Sequence, residues 1–338
     1  MPKTKDFQNS AQYVRIILFG IILIGLLLSG CNSKPKVYRV GILSGSDAFS
    51  AMGNGFKEKM TELGYVEGQN IVYDFQKLNA DPPGYQRVTK KFVADKVNMI
   101  FAFPTEPALA AKTATQGTNI PVVFAHAGLE GTSLVKSVRE TGGNLTGTRF
   151  PGPDLIVKRF EFLLALKPNV KQLYIPYDKN YPLCAPALNA LRPYARSKRV
   201  TLVELPVTSV KELQADLQAR NKSADVGMDA ILLLPELLMQ SPDGWATIST
   251  FAKEHKLPLV GSSDKTIQSG SILTYNVNPL ESGGIAATIA DKILKGTPAG
   301  TIPVVTPEAH LKFNYKLARK LGLKVPEGLL CIATEIIR

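Results

Sequence analysis

The sequence is poor in the residues that metal and thiol chemistry use. Its 338 residues include three cysteines, three histidines and one tryptophan. It contains no His-Glu-x-x-His, Cys-x-x-Cys or Gly-x-Ser-x-Gly motif and no Walker loop. These absences remove the sequence support for zinc hydrolases, dithiol oxidoreductases, serine hydrolases and P-loop NTPases. We therefore predict no catalytic residue, no metal ligand and no cofactor.

The chain also lacks an arginine-rich run, although its formal net charge is +12. Basic residues are spread along the sequence and interleaved with acidic ones, as in Lys57-Glu58-Lys59. We therefore expect no nucleic-acid partner. An evenly basic surface fits an anionic membrane or an acidic ligand and does not decide between them.

A hydrophobic stretch near the N terminus has the features of a secretory signal. Basic residues precede an apolar run from Ile16 to Leu28, which is shorter than the roughly 18 residues that span a bilayer. The run ends in Leu28-Ser29-Gly30-Cys31, which resembles the bacterial lipobox. We predict that residues 1–31 are a lipoprotein signal with Cys31 as lipid acceptor, followed by a tether over residues 32–37. The protein is then exported and bound to the cell envelope membrane through a lipid anchor. The alternative is an uncleaved signal anchor.

Two further cysteines, Cys184 and Cys331, remain after Cys31. They are either two inert thiols or a disulfide, since an exported protein occupies a compartment that permits disulfides.

Apolar strand-like runs alternate with amphipathic helical stretches from Val37 onward. Such alternation is typical of βαβ units with parallel sheets, and the series restarts after Pro151. Predicted strands include 38–43, 71–75, 99–103, 121–124, 172–176, 201–205, 230–234, 257–260 and 271–275. Predicted helices include 106–116, 155–166, 186–198, 210–220, 246–255 and 279–294. The fold class is therefore α/β, with two Rossmann-like lobes.

Small and polar residues follow the predicted strands. Ligands of open parallel sheets bind at the carboxyl ends of the strands, so these residues are candidate ligand contacts. They are Ser44, Ser46, Asp47, Thr105, Glu106, His126 and Gly128 in the first series, and Asp178, Glu236, Ser263 and Asp264 in the second. Each could instead be a helix cap. His126, placed in a loop after a strand, either touches a ligand or caps the loop.

Several segments together resemble a known family. They are Tyr38–Leu43, Pro121–Phe124, Gly142–Gly147, Gly261–Asp264 and Ala318–Leu323. In this order they are similar to the solute-binding lipoproteins of ABC importers, in the family that includes tryptophan- and tyrosine-binding members. The resemblance implies a type I periplasmic-binding fold, with two lobes joined by hinge strands and a ligand held between them.

The resemblance also implies where the lobes divide. We expect an N-terminal lobe of residues 38–150 plus 277–306 and a C-terminal lobe of residues 151–276 plus 307–338. Tyr275 then lies at a hinge beside the cleft and joins the candidate ligand contacts. The chain departs from the family at Leu129-Glu130, where an Asp-Pro pair is usual, and at Asn278, where an aspartate is common. Both departures weaken the transfer of an aromatic amino-acid ligand.

The expected function is a monomeric receptor that passes a small solute to ABC permease subunits in the membrane. The solute is amino-acid-like or another small polar molecule. A ligand-sensing subunit for a membrane signalling protein is one alternative, and an envelope enzyme with His126 as base is another.

Overall fold

The computed structural model describes residues 36–338, which form two α/β lobes. The predicted signal peptide, Cys31 and the first part of the tether lie outside the described residues. Within residues 36–338, no helix is long and apolar enough to cross a bilayer. The predicted α/β class with two lobes is confirmed.

Lobe 1 is built on a five-stranded parallel sheet with the order β2-β1-β3-β4-β5. Its strands are β1 (Tyr38–Ser44), β2 (Ile71–Lys77), β3 (Met99–Phe103), β4 (Val122–Ala127) and β5 (Leu145–Arg149). Helices α1 (Ser50–Glu62) and α9 (Pro279–Leu294) cover one face, and α2 (Pro82–Ala94) and α3 (Thr105–Ala114) cover the other.

Strand β3 shows why the lobe 1 sheet is covered on both faces. Every residue of β3 is buried. Met99, Phe101 and Phe103 belong to the core beneath α1 and α9. Ile100 and Ala102 belong to the core beneath α2 and α3. Alternate side chains of a strand point to opposite faces, so a continuous apolar run feeds two cores.

Lobe 2 is built on a seven-stranded sheet with the order β12-β11-β10-β9-β8-β6-β7. Its strands are β6 (Gln172–Asp178), β7 (Thr201–Val207), β8 (Ala230–Leu232), β9 (Leu259–Gly261), β10 (Leu273–Val277), β11 (Ala309–Asn314) and β12 (Ala333–Ile337). One face carries α4 (Gly152–Leu166), α5 (Cys184–Ser197), α10 (Tyr315–Lys320) and α11 (Glu327–Ile332). The other carries α6 (Val210–Asn221) and α7 (Pro242–Glu254), and the short α8 (Thr266–Ser269) follows β9.

The lobe 2 sheet is not wholly parallel, so the sequence prediction is wrong at β11. Strand β11 runs antiparallel to β10, with Tyr275 opposite Leu311. The reason is the path of the chain. Strand β10 ends at the side of lobe 2 that faces lobe 1, and α9 then packs in lobe 1. The returning chain enters lobe 2 at that same side, so β11 has to run the opposite way.

The described chain passes between the lobes after β5, after β10 and before β11. Polar contacts accompany these crossings. The Arg149 guanidinium pairs with Glu130 at 2.9 Å and with Asp154 at 2.8 Å. His310 of β11 contacts Glu281 of α9 at 3.0 Å. The two cysteines among the described residues are both free thiols, and Cys184 is buried whereas Cys331 is exposed.

Candidate functional site

A cavity of about 550 Å³ lies where the two lobes face each other. Lobe 1 contributes Ser46, Phe49, Pro104, His126 and Phe150 to its wall. Lobe 2 contributes Tyr181, Leu183, Pro235, Glu236, Leu237, Trp245, Ser262, Ser263, Asp264 and Asn276. Most of these residues follow the carboxyl end of a strand, which is where open parallel sheets bind ligands. The volume is within the range of small-molecule sites, about 300–1,000 Å³.

His126 is the central polar residue of the lobe 1 wall. It is the fifth residue of β4 and not part of a loop, so the predicted loop position is wrong. Its φ is +54°, and a register shift interrupts the pairing of β4 with β5 there. The distorted strand turns the ring between Phe49 and Phe150, whose ring centroids are 5.5 and 4.5 Å away.

The electrostatic state of His126 follows from its burial. The side chain is buried, and its Nδ1 atom has no hydrogen-bond partner among the described residues. Burial lowers the pKa of His126 to about 3, because the charged imidazolium would lose its hydration. His126 is therefore neutral at physiological pH and presents an unused polar nitrogen beside two aromatic rings.

Arg159 lies behind the lobe 2 wall. It belongs to α4 and is fully buried. Its Nε donates to the Tyr275 carbonyl at 3.0 Å, and its Nη2 donates to the Ser262 carbonyl at 3.3 Å. The Nη1 atom has no partner among the described residues. Burial lowers the pKa of Arg159 to about 10, so the guanidinium still carries its charge at neutral pH.

Ser262 connects this buried arginine to the cavity. Its carbonyl also accepts a hydrogen bond from Asn276 Nδ2 at 3.2 Å. The Ser262 hydroxyl is buried and has no partner in residues 36–338. Both Ser262 and Asn276 line the cavity. We call Arg159, Ser262 and Asn276 the arginine cluster.

The acidic residues of the wall are already engaged. Glu236 accepts hydrogen bonds from the backbone N–H groups of Leu238 and Met239, the latter at 2.9 Å. Burial raises the pKa of Glu236 to about 7, against the lowering effect of these two bonds. Asp264 forms an ion pair with Lys312 at 3.1 Å.

The structure brings five of the predicted contact residues to the cavity wall, namely Ser46, His126, Glu236, Ser263 and Asp264. The other predicted residues support the wall. The Ser44 hydroxyl donates to the Ser46 carbonyl at 2.9 Å. Thr105 Oγ1 accepts from the Gly128 N–H at 3.0 Å, which ties α3 to the loop after β4.

The remaining predicted residues lie at the margin. The exposed Asp47 contacts Asn79, and Asp178 accepts from the Asn180 N–H at 2.9 Å. Burial raises the pKa of Glu106, which is half-buried in the first turn of α3. The Tyr275 ring packs edge-on against Phe162 at 5.3 Å, and its carbonyl serves Arg159.

Sequence reasoning missed the aromatic residues and the arginine. Phe49, Phe150 and Trp245 line the cavity, and Arg159 stands behind it. The sequence does contain a sign of the role of Arg159, because this residue shares the apolar face of α4 with Ile156 and Phe160. A charged residue at a core position of a helix requires a partner, and that requirement points to a site.

Comparisons with known proteins agree with this geometry. The sequence profile described as "ABC transporter substrate binding protein" matches residues 39–337. The chain therefore belongs to this family of substrate-binding proteins, as the resemblance predicted.

Individual relatives cover nearly the whole chain. The "Tyrosine-binding protein" of Clostridioides difficile (strain R20291) is 27% identical in a match that covers 94% of each protein. A ligand-free, open substrate binding protein with adhesive properties from Clostridium difficile is 25% identical, with a TM-score of 0.70. That match covers 89% of this chain and 99% of the other. A domain from Streptococcus pneumonia in complex with L-Trp is 23% identical, with a TM-score of 0.78 and coverage of 89% and 100%, and it supports the fold.

Proposed function

We propose that this protein is the solute-binding receptor of an ABC importer. It captures a small amino-acid-like or other polar solute with an apolar part in the cavity between the lobes, closes by hinge motion and delivers the solute to permease subunits. The proposal extends the family assignment to a transport step. The observation that carries it is the wall of the cavity, in which aromatic side chains from both lobes stand beside unused polar atoms of His126 and Ser262.

The wall suits a ligand with two kinds of surface. Phe49 and Phe150 on lobe 1 and Trp245 on lobe 2 can bury an apolar or aromatic body. His126 and Ser262 each hold a buried polar atom without a partner among residues 36–338, and such an atom is costly until lobe closure or a ligand supplies a hydrogen bond. A site divided between two lobes binds most tightly when the lobes close on the ligand. The closed conformation then distinguishes the ligand-bound receptor from the ligand-free one.

The N-terminal features complete the proposed mechanism. A lipid on Cys31 and a tether over residues 32–37 would hold a monomeric receptor near the membrane. Confinement to that layer raises its effective concentration at a permease. The lobe division predicted from the resemblance, with crossings near residues 150, 277 and 306, would supply the hinge.

Trp245 provides the experiment. It is the only tryptophan in the sequence and it lines the cavity. The full-length protein in mild detergent should change its tryptophan emission when a ligand from a panel of amino acids, nucleosides, sugars and small acids is added. The same ligand should raise the unfolding temperature, because it binds the folded state alone.

The control is Trp245→Phe, which should lose the emission signal but still show a rise in unfolding temperature, because phenylalanine keeps an aromatic ring at this position of the wall. A panel in which no compound changes either the emission or the unfolding temperature would contradict the proposal.

A further inference from the structure

One guanidinium group joins the two lobes beside the chain crossings. Arg149 is the last residue of β5, at the first crossing. Its Nη1 donates to Glu130 Oε1 at 2.9 Å in lobe 1, and its Nη2 donates to Asp154 Oδ2 at 2.8 Å on α4 of lobe 2. Its Nε donates to Thr306 Oγ1 at 2.9 Å, in the crossing that leads to β11. We call Arg149, Glu130, Asp154 and Thr306 the hinge cluster.

The backbone at Arg149 is also fixed to two crossings. The Arg149 N–H donates to the Val305 carbonyl at 2.9 Å, and the Val305 N–H donates to the Gly147 carbonyl at 2.9 Å. The first and third crossings therefore run side by side and parallel, with Thr148 opposite Val305. The Arg149 side chain is only 20% exposed, so its ion pairs are partly shielded from water and are stronger than those of an open surface.

Glu130 belongs to the loop from Gly128 to Gly131, which follows β4 and which we call the rim loop. A Cβ built at Gly128 would lie 2.3 Å from Leu183 Cδ2, and one built at Gly131 would lie 3.2 Å from Pro186 Cγ. Both lobe 2 residues are at the start of α5. The backbone of the rim loop therefore lies directly against α5, and the Glu130 carboxylate connects this contact to the hinge cluster.

The two carboxylates of the hinge cluster lie on opposite lobes and share one cation. Glu130 and Asp154 are 2.9 and 2.8 Å from the same guanidinium group. Without that cation they would repel each other across the lobe boundary. Arg149, Glu130 and Asp154 are not among the residues that line the cavity. Arg149 therefore stabilises the observed arrangement of the lobes from outside the cavity.

We propose that Arg149 is a positioning residue for ligand capture, which holds the rim loop against α5 and thereby sets the fraction of molecules whose lobes are closed. This inference rests on the proposed function and adds how the cavity is regulated. A ligand held by both lobes binds tightly only to the closed arrangement, so its apparent affinity falls with the fraction of closed molecules. Loss of the Arg149 charge should therefore weaken binding, although the residue is not part of the wall.

Hydrogen–deuterium exchange of the full-length protein in mild detergent, without ligand, measures the contact between the lobes. Arg149→Gln removes the charge and keeps a polar side chain. It should speed exchange by about three- to tenfold in peptides from the rim loop and from the start of α5, because their amides lose the cover of the opposite lobe. Exchange across β3 should stay unchanged, which separates lobe opening from unfolding of lobe 1.

Arg192→Gln is the matched control. The Arg192 guanidinium group also makes three hydrogen bonds, to Glu204 at 2.9 and 2.8 Å and to Asn189 at 2.9 Å. Both partners lie in lobe 2, on β7 and α5. The control variant therefore loses bonds of the same kind without a change at the lobe boundary, and exchange of the rim loop should stay as it is in the unmodified protein.

Removal of one carboxylate should reverse part of the effect. Arg149→Gln/Asp154→Asn has no repelling pair at the lobe boundary, so its rim-loop exchange should return toward that of the unmodified protein. A purely structural role of Arg149 predicts the opposite, because a second lost hydrogen bond would add to the damage. Asp154→Lys places a cation opposite Arg149 and should also speed exchange. Because Asp154 is 69% exposed, this variant decides the question even if Arg149→Gln does not fold.

Binding is measured with L-phenylalanine, an amino acid without an indole, through the emission of Trp245. Arg149→Gln should raise its dissociation constant by about three- to tenfold, and Arg192→Gln should leave it unchanged. Unchanged rim-loop exchange in a folded Arg149→Gln variant or in Asp154→Lys, or no recovery in the double variant, would overturn the inference. An unchanged dissociation constant in Arg149→Gln would also overturn it. Failure of every compound in the wide panel would overturn the proposed function, while the exchange series still decides the role of Arg149.

Discussion

The contact between α1 and α9 depends on a glycine, and replacing that glycine should destabilise lobe 1. An alanine Cβ at Gly283 would lie 2.1 Å from the Met52 carbonyl oxygen and 2.9 Å from the Phe56 nitrogen. Ordinary contact begins at 3.4 Å, so the helices would have to separate by roughly 1 Å in a close-packed interior. Both obstructing atoms are backbone atoms, which cannot rotate away.

The magnitude follows from what α9 buries. Its Ala286, Ala287 and Ala290 share a core with Met52 and Phe56. Overpacking such a core costs about 1–3 kcal/mol, and a backbone obstruction belongs at the upper end. Alanine in place of glycine within a helix returns about 0.5–1 kcal/mol. We therefore expect Gly283→Ala to lower the free energy of unfolding by about 2 kcal/mol.

The next residue of the same helix is the control. A Cβ at Gly284 would meet only the Gly55 carbonyl oxygen and Lys59 Cβ, both at 3.9 Å. Gly284→Ala should therefore raise the free energy of unfolding by about 0.5–1 kcal/mol. The same substitution at two adjacent positions should therefore change the free energy of unfolding in opposite directions.

Chemical denaturation followed by far-UV circular dichroism measures the difference. Tryptophan emission is unsuitable here, because Trp245 lies on α7 of lobe 2. If the two variants differ by less than about 0.5 kcal/mol, the usual error of additive comparisons, the close approach of α1 and α9 is refuted.

Two further predictions concern the cavity. Burial raises the pKa of the Glu236 carboxyl from 4.5 to about 7, so the folded state binds the carboxyl proton more tightly than the unfolded state does. The resulting contribution to the free energy of unfolding is fully present below pH 4.5. It is lost as the pH rises through 7, by on the order of 3 kcal/mol. Glu236→Gln should flatten that part of a urea-unfolding pH series, and an unchanged slope would contradict the assignment. Across the lobes, a Cβ at Gly128 would lie 2.3 Å from Leu183 Cδ2. Gly128→Ala should weaken ligand binding, measured by Trp245 emission, with little change in the free energy of unfolding. The double variant Gly128→Ala/Leu183→Ala should recover part of the lost affinity. Equal ligand affinities in the unmodified protein, the single variant and the double variant would argue against this contact.

The strands of this protein are well encoded in the sequence. Met99–Phe103 is both the predicted and the observed β3, because a strand buried on both faces reads as an unbroken apolar run. Helix α9 likewise begins and ends as predicted, with the Asn278 side chain accepting from the Leu280 N–H at its start. Strong local signals of this kind need no tertiary information.

Other elements were missed because their signals are weak. The strand β5, Leu145-Thr-Gly-Thr-Arg149, is short and contains glycine, so its pairing with β4 decides its structure. Helix α7 begins at Pro242, four residues before the predicted start. The Ser241 side chain caps it by accepting from the Gly244 N–H. That early start is what brings Trp245 onto a helix and into the cavity wall.

The site shows a different limit. Residues after a strand end are close both to a cavity and to the loop backbone, so sequence alone could not separate Ser46, which lines the cavity, from Thr105, which holds the Gly128 N–H. Local position predicts the neighbourhood of a ligand, whereas the partner of each side chain depends on packing. The predicted residues therefore mark the edge of the cleft, and only some of them line the cavity.

The arginine cluster is the part that local reasoning could not assemble. Arg159, Ser262 and Asn276 come from α4, the loop after β9 and strand β10, and they meet because α4 packs beneath β10. Sequence does show that a charged residue occupies the apolar face of α4, and burial of that charge demands compensation. What it cannot show is that one of the two carbonyls that accept from Arg159 belongs to Ser262, which lines the cavity. The packing of α4 beneath β10 is therefore what places a buried cation directly behind the lobe 2 wall.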